Sequence, residues 1–390
     1  MVHLMIVNEK RNELLEVGEL TVNVTAWIFF ILLFFVCWLI RTFTLRKQSV
    51  NTASGAIVMA LGIFLNGAAH HFAFLSKWDV YLVLLLFVIW LFIAMSFFTL
   101  AIRKELGATH LSDPIQTFAV GTWIAGTAVC ATIMAQRLPE FIWIAHSLAM
   151  FSVVLWIYYL GLSLRNFQRI WKKGLYAKVH GVVLLSTVST QSLVILFKTL
   201  YTDLIPNAVY VGLISLGVGF YVLGFALLLR RYLFLRRWNV CEDWANTNCI
   251  LHGAMSISGL AILISGAIPA DIGVMIWLWV LLWFVIVEGI EVWRAAARIR
   301  KYGWVEGIGS YNVSQWSRNF TFGMLYAFTL TLHFSHTAFG QVAVLYVVKD
   351  VIVDYLVWLI VLLLINECLL FMKNNFVFGG SKHKVQERSR

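Results

Sequence analysis

The sequence predicts an all-helical integral membrane protein. About eleven spanning helices are expected, ten of them as five copies of a two-helix unit around a central path, with one extra helix in front. Three observations carry this reading. The chain is 61% hydrophobic and 13% charged, with a mean hydropathy of +0.83, whereas soluble domains are about 45–50% apolar and about 25% charged. Apolar runs of about 20 residues, the length that crosses a bilayer, occur eleven times. Stretches rich in small residues recur at long, nearly even intervals, and an internal repeat constrains a fold before any other argument.

The first run, about 24–43, stands outside the repeat. Five pairs follow: 52–73 with 79–102, 115–135 with 139–164, 178–200 with 206–230, 247–267 with 272–297, and 316–337 with 350–372. The chain therefore divides into an N-terminal segment with its helix (1–51), a transmembrane domain (52–372) and a basic tail (373–390). The first member of each pair opens near a glycine or another small residue: SGAIVMALGIF from Ser54, VGTWIAGTAV from Val120, HGVVLLSTVS from His180, HGAMSISGLA from His252 and WSRNFTFGM from Trp316. Gly55, Gly121, Gly181 and Gly253 align as the shared position, with Thr321 or Gly323 in the fifth copy. Each step is long enough for two spans and their loops. Second members are rich in Trp, Phe, Leu and Val. Small residues let backbones approach or line a narrow polar path, whereas bulky helices that are apolar all round suit lipid. First members are therefore placed inside and second members outside.

Orientation follows from Lys and Arg, which concentrate in cytoplasmic loops. If the N-terminus is outside, alternate loops and the tail hold most of the 30 basic residues, and the other side holds only Lys10, Arg11, Lys77, Arg137, Lys198 and Lys349. This bias accounts for the net charge of +11 without a nucleic-acid partner. It makes the five inner helices parallel, all starting at the cytoplasm. The segment 1–23 is too polar for a signal peptide. The five cysteines are odd in number and mostly within spans, so no disulfide framework is expected. No phosphate-binding G-x-x-x-x-G-K-[ST] is present, and no cofactor or enzymatic reaction is indicated.

Five in-line helical pairs with small-residue inner helices resemble the tellurite-resistance/C4-dicarboxylate transporter family, which includes the slow-type anion channels of plants. In that family the fifth inner helix reads W-x-x-x-F-P-x-G; Trp316, Phe320, Gly323 and Met324 keep that spacing, and Gly121–Thr127 (GTWIAGT) is similar to the second inner helix of bacterial members. Thr321 stands where the family has proline, and no inner helix carries an internal proline; glycine and Ser/Thr can also permit bends. The resemblance implies passage of small inorganic anions or short dicarboxylates such as malate across a plasma (inner) membrane, a phenylalanine plug at Phe320, and trimers.

An anion path uses hydroxyls and backbone dipoles, with cations at its mouths. The inner helices offer Thr122, Ser256 and Thr321 beside the glycines, and no carboxylate. Phe320 is the first candidate for an aromatic gate and Phe322 the second; lying about 200° apart on one helix, they cannot both face the axis. His180 and His252 precede the aligned glycines of units three and four, so equal depth is expected of them. They would attract anions or sense pH, or simply bond to neighbours. Arg318 and Lys198 would raise local anion concentration or merely snorkel. His70, His71, His333 and His336 gather at the outer ends of inner helices one and five. They are read as solvated interfacial residues, with a metal site or pH sensor as the alternative; no cysteine or carboxylate completes a ligand set. Glu288, Glu291 and Glu367 lie in outer helices. Pairing with bases such as Arg294 is the structural reading, and proton coupling, which defines a carrier rather than a channel, is the alternative.

The charge bias makes a direct prediction. A single cysteine placed in the tail after Lys373, in a chain otherwise free of cysteine, should react with an impermeant thiol reagent only from the cytoplasmic side of oriented vesicles. Labelling from the outer side would reverse the orientation.

Overall fold

The computed structural model describes residues 24–42, 50–202, 204–234, 238–335 and 337–377. The N-terminal residues 1–23, Arg46, Lys47, Arg236, Arg237, His336 and the tail beyond residue 377 lie outside the described residues. The helices in chain order are α1 (Val24–Thr42), α2 (Gly55–Asn66), α3 (Asp79–Ile102), the short α4 (Leu106–His110), α5 (Gly121–Arg137), α6 (Ile142–Lys172), α7 (Leu185–Leu200) and α8 (Asn207–Phe234). The short α9 (Val240–Asp243), α10 (Ile250–Ser265), α11 (Ala270–Gly307), α12 (Trp316–Thr331) and α13 (Ala343–Met372) complete the set. Among the described residues, ten helical segments are long and apolar enough to cross a membrane. The eleventh expected span is α12, whose 16 residues begin with Trp-Ser-Arg-Asn.

The helices sort into two layers. Those paired first in the repeat, α2, α5, α7, α10 and α12, touch one another in a closed cycle: α2 on α5, α5 on α7, α7 on α10, α10 on α12, and α12 back on α2. Each also packs on the helix that follows it, α3, α6, α8, α11 or α13. In the inner spans beginning at residues 52, 116, 181 and 246, 67–89% of residues are buried, against 22–33% in the outer ones. The texture difference in the sequence is thus a difference in surroundings: small residues meet protein, and large apolar ones meet lipid.

Every inner helix is entered through a 3-10 turn: Thr52–Ser54, Gln116–Val120, Gly181–Leu184, Asn246–Cys249 and Val313–Gln315. These five turns also touch one another in a closed cycle, so all five inner helices start at the same end and run parallel. The α-helices proper begin at Gly55, Gly121, Leu185, Ile250 and Trp316, a spacing far more even than that of the glycines. This register corrects the alignment on glycines. Gly181 lies four residues before its helix start and Gly253 three residues after. His180 and His252 are therefore not equivalent: one precedes its 3-10 turn and the other is the third residue of α10.

The glycines sit in the seams. A Cβ on Gly55 would stand 2.4 Å from the Thr122 carbonyl oxygen, on Gly121 2.8 Å from that of Leu185, and on Gly181 1.9 Å from that of Thr247. On Gly253 it would meet Thr321 Cγ2 at 2.1 Å, and on Gly323 Ile63 Cγ2 at 2.6 Å. Each glycine touches the inner helix or its entry turn in the next unit, with Gly323 returning to the first. The described inner helices contain no proline; each is entered through a 3-10 turn, and hydroxyls bond back to their own helix, as Thr190 Oγ1 donates to the Ser186 carbonyl at 2.8 Å. Pro139, Pro206 and Pro269 instead start the outer helices α6, α8 and α11, where the missing N–H costs no bond.

The extra helix α1 leans on α3 and on the start of α6. Phe30 stacks on Phe87 at 5.9 Å, Phe34 on Phe92 at 5.1 Å, and Trp27 meets Phe141 edge-on at 5.1 Å. Arg41 Nη1 donates to the Phe92 carbonyl at 3.0 Å.

A methyl group at a seam should destabilise. Gly181→Ala forces the Thr247 backbone to move and should cost about 1–3 kcal/mol, read as a lower unfolding temperature in detergent. Gly107→Ala, where no atom lies within 4 Å of the added carbon, should leave that temperature unchanged or slightly higher.

Candidate functional site: the inner ring

With the register set by the helix starts, equivalent positions fall into layers. The seventh residues of the inner helices are Leu61, Thr127, Gln191, Ser256 and Phe322. Three of them touch the outer layer. Thr127 accepts from Trp90 Nε1 of α3 at 2.9 Å, Gln191 Nε2 donates to the Ile214 carbonyl of α8 at 3.1 Å, and Phe322 meets Phe284 of α11 edge-on at 5.1 Å. Position seven therefore faces outward. Two residues earlier, about 200° around the helix, the fifth residues are Met59, Ala125, Ser189, Ala254 and Phe320. They turn to the middle of the ring, and all five are no more than 1% exposed. One turn further on, Ile63, Val129, Leu193, Ser258 and Met324 share roughly that face.

Phe320 is thus the large ring in a layer of small and flexible side chains, and water does not reach it. Phe322, the second gate candidate, lies against Phe284 and His252 instead. Ser256 shares the outward register of Phe322 and donates to the His252 carbonyl at 2.9 Å. Thr321 fills the seam at Gly253 and donates to the Arg318 carbonyl at 3.1 Å. Thr122 fills the seam at Gly55 and donates to the Ala119 carbonyl at 2.8 Å. Of the four companions of Phe320, Ser189 is among the inner-helix hydroxyls the sequence offers for the path; Met59, Ala125 and Ala254 carry no such signal, and alignment on the glycines conceals the register that relates them.

The entry ends carry the polar groups. His180 Nδ1 lies 2.7 Å from Thr247 Oγ1, and its Nε2 lies 3.3 Å from Gln116 Nε2, so one imidazole joins the starts of units two, three and four. The Asn248 Oδ1 next to it accepts from the Gly181 N–H at 2.9 Å. Burial pushes the His180 pKa down to about 4, helped by Arg231 and opposed by Asp113. The ring therefore stays neutral around pH 7, which argues against pH sensing there. At the first unit His110 Nδ1 lies 2.8 Å from Thr52 Oγ1, and burial lowers its pKa too.

Arg318 lies on the outward side of α12. Its Nε stands 3.2 Å from Glu288 Oε2, and its Nη2 3.0 Å from Glu291 Oε1. Arg294 Nη1 reaches Glu291 at 2.8 Å, and His252 Nε2 lies 3.3 Å from Glu288 Oε1. The two carboxylates of α11 thus pair with bases, as the structural reading expected. Glu367 of α13 is buried, and its Oε1 has no hydrogen-bond partner. Lys198 places its ammonium 5.8 Å from the Tyr210 ring centre at the far end of α7. Of the outer histidines, His70 contacts Arg137, which also pairs with Asp79 at 3.2 Å. His71 meets Trp358 of α13 edge-on, and His333 is exposed. Among the described residues, no group of three or more His, Cys, Asp or Glu is placed to hold a metal ion.

These features describe a closed ring of parallel helices whose five N-terminal ends meet at one mouth. A family model described as voltage-dependent anion channel matches residues 49–366, which spans both layers of the ring. The chain belongs to the voltage-dependent anion channel (SLAC1) family. It is a multi-pass membrane protein of a family of anion channels and transporters. The match begins after α1 and covers the first four pairs, α12 and most of α13, so α1 lies outside the region matched to the SLAC1 family. A comparison with curated proteins finds no significant match.

The low pKa of His180 has a consequence for stability. An imidazole with a folded-state pKa below its unfolded value of ~6.5 leaves stability unchanged above that pH and subtracts from it as pH falls towards 4. The unfolding temperature in detergent should therefore drop between pH 7 and 5. His180→Gln, which keeps a donor and an acceptor, should drop less over the same interval.

Proposed function

We propose that this protein is an anion channel whose path runs along the axis of the inner ring and is closed by the side chain of Phe320. The observation that carries the reading is the layer Met59, Ala125, Ser189, Ala254 and Phe320: one aromatic ring among four smaller or more flexible side chains, all shut from water. Turning the phenyl ring aside leaves an opening that small residues surround.

Electrostatics supports an anion over a cation. No inner helix contains Asp or Glu. Five parallel helices bring five N-terminal ends to one mouth, and each end carries roughly half a positive charge from its aligned peptide dipoles. Half-helix N-termini pointing at anions are a recurrent arrangement in membrane transporters. Ser189 and Ser258 bring hydroxyls to the inner face, each donating to a carbonyl of its own helix (Ser186 at 3.2 Å, Ala254 at 2.8 Å), a bond that would have to be exchanged to meet an anion. The narrow, hydroxyl-bearing layer suits small inorganic anions such as chloride or nitrate, with short dicarboxylates as the larger cargo. The charge bias of the loops supports an orientation with the entry turns and tail at the cytoplasm, and the plasma membrane is the one that the family resemblance implies.

A second reading has one observation in its favour. The buried carboxyl of Glu367 has an oxygen with no hydrogen-bond partner, and a carboxyl that takes up protons would serve a proton-linked carrier of organic anions.

Flux into proteoliposomes decides between them. Wild-type protein should pass chloride and nitrate slowly, and Phe320→Ala should raise the rate by about tenfold or more, since removing an occluding barrier of about 1.4 kcal/mol already gives that factor. If neither protein passes inorganic anions while an imposed proton gradient drives malate uptake that Glu367→Gln abolishes, the carrier reading replaces the channel.

A further inference from the structure

The helix that carries Phe320 meets α11 at three points. Arg318 binds Glu288 and Glu291, Phe322 lies on Phe284, and Thr329 Oγ1 accepts from Trp277 Nε1 at 2.9 Å. Residues 318, 322 and 329 fall within about 40° of one another around α12, one narrow stripe, and Phe320 lies on the opposite face. The stripe is thus one constraint on the direction in which Phe320 points, beside the packing of α12 on α10, α2 and α13. Two of its contacts are apolar or a single neutral hydrogen bond, and these tolerate sliding. The third is different. Glu288 and Glu291 stand one turn apart on α11, and the guanidinium of Arg318 spans both, Nε to one and Nη2 to the other. Both contacts are ion pairs, and the Nε makes no hydrogen bond; a largely buried cation between two carboxylates still resists displacement, because moving it leaves buried charges unpaired.

The surroundings make this contact firm. Arg318 and Arg294 balance the two carboxylates, and the imidazole of His252 completes the cluster beside Glu288. Arg294 also bonds Asn246 Oδ1, and Asn246 Nδ2 donates to Ser314 Oγ at 3.0 Å, tying the entry turn of unit four to that of unit five. The side chains of Arg318, Glu288, Glu291 and Arg294 are only 12–19% exposed, so water competes weakly for the pairs.

We propose that Arg318 is the positioning residue of the gate: its bridge to Glu288 and Glu291 holds the rotation of α12, and loosening the bridge turns Phe320 out of the path. This rests on the reading of Phe320 as the occluding residue, and the test separates the two. A single cysteine at Ser317, which shares the inner side of α12 on the entry side of Phe320, serves as a reporter in a chain lacking the five native cysteines. It reads helix rotation without any flux. Its reaction rate with a small water-soluble methanethiosulfonate reagent is measured with the native bridge, with Arg318→Lys, with Glu288→Gln, and with Glu242→Gln as a control. The control breaks the exposed Lys301–Glu242 pair of 2.9 Å. Chloride flux is measured on the same proteins and on Phe320→Ala combined with Glu288→Gln. Only monodisperse protein that keeps its helical signal is compared.

Arg318→Lys and Glu288→Gln should each change the reporter rate by about tenfold, the factor that a shift of about 1.4 kcal/mol between two helix orientations produces, and should raise flux; the control should do neither. Adding Glu288→Gln to Phe320→Ala should raise flux no further, because the ring it positions is gone. A changed reporter rate with Phe320→Ala silent leaves the positioning role standing and removes the gate. An unchanged reporter rate in both variants overturns the proposal whatever the flux does. So does a reporter change without a flux rise when Phe320→Ala itself leaks. If both variants fail to give monodisperse protein, the bridge serves stability, and the proposal falls in favour of a purely structural pair.

Discussion

Everything in this structure depends on five helices approaching closely enough to close a ring. In a bilayer nothing equivalent to the hydrophobic effect draws apolar helices together, so association depends on fit and on internal hydrogen bonds. The fit is made at the seams, where Gly55, Gly121, Gly181, Gly253 and Gly323 leave no room for a Cβ against the next unit. Closure then dictates the rest. The inner helices are parallel because their entry turns meet at one end, and the long outer helices must cover the ring from lipid. Positions that share a place in the register become one layer across the axis.

The same closure separates the charges. The inner helices carry no carboxylate, whereas α11 carries Glu288 and Glu291 on its inward side, where Arg318, Arg294 and His252 meet them. These two acidic groups are thus near the ring, but on the far side of α12 and already paired with bases. The axis is left to hydroxyls, apolar side chains and helix dipoles. His180 illustrates the same economy at the entry end. Held neutral by burial and by Arg231, it acts as a hydrogen-bonding knot between three units rather than as a charge.

Much of this was legible in the sequence. The apolar runs located each span, although α6 and α11 run on well past the expected ends and α13 starts earlier; the contrast between small and bulky members marked the two layers, because burial is what that contrast records. The spacing of Trp316, Phe320 and Gly323 that carries the family resemblance was readable in the sequence. The register was not, because the seam glycines sit where neighbours need space rather than at one fixed height: Gly181 falls in a 3-10 turn, while Gly253 falls a turn inside its helix. Aligning them displaces unit three against unit four, gives His180 and His252 a false equivalence, and conceals that Met59, Ala125, Ser189 and Ala254 share a layer with Phe320. The pairing of Arg318 with two carboxylates of the preceding unit left no local pattern either, since it joins helices far apart in the chain. Ser256, chosen for its hydroxyl, proved to share the outward face of Phe322. Chemistry alone did not say which way a side chain on α10 turns.

The most direct measurement of the central claim is the ion selectivity of the opened ring. Phe320→Ala would be reconstituted in a planar bilayer under a potassium chloride gradient, and the reversal potential read. A path lined by helix dipoles and free of carboxylates predicts a reversal potential close to the chloride equilibrium value. A reversal potential at the potassium value would contradict the account, because it would mean that cations, not anions, pass through the ring.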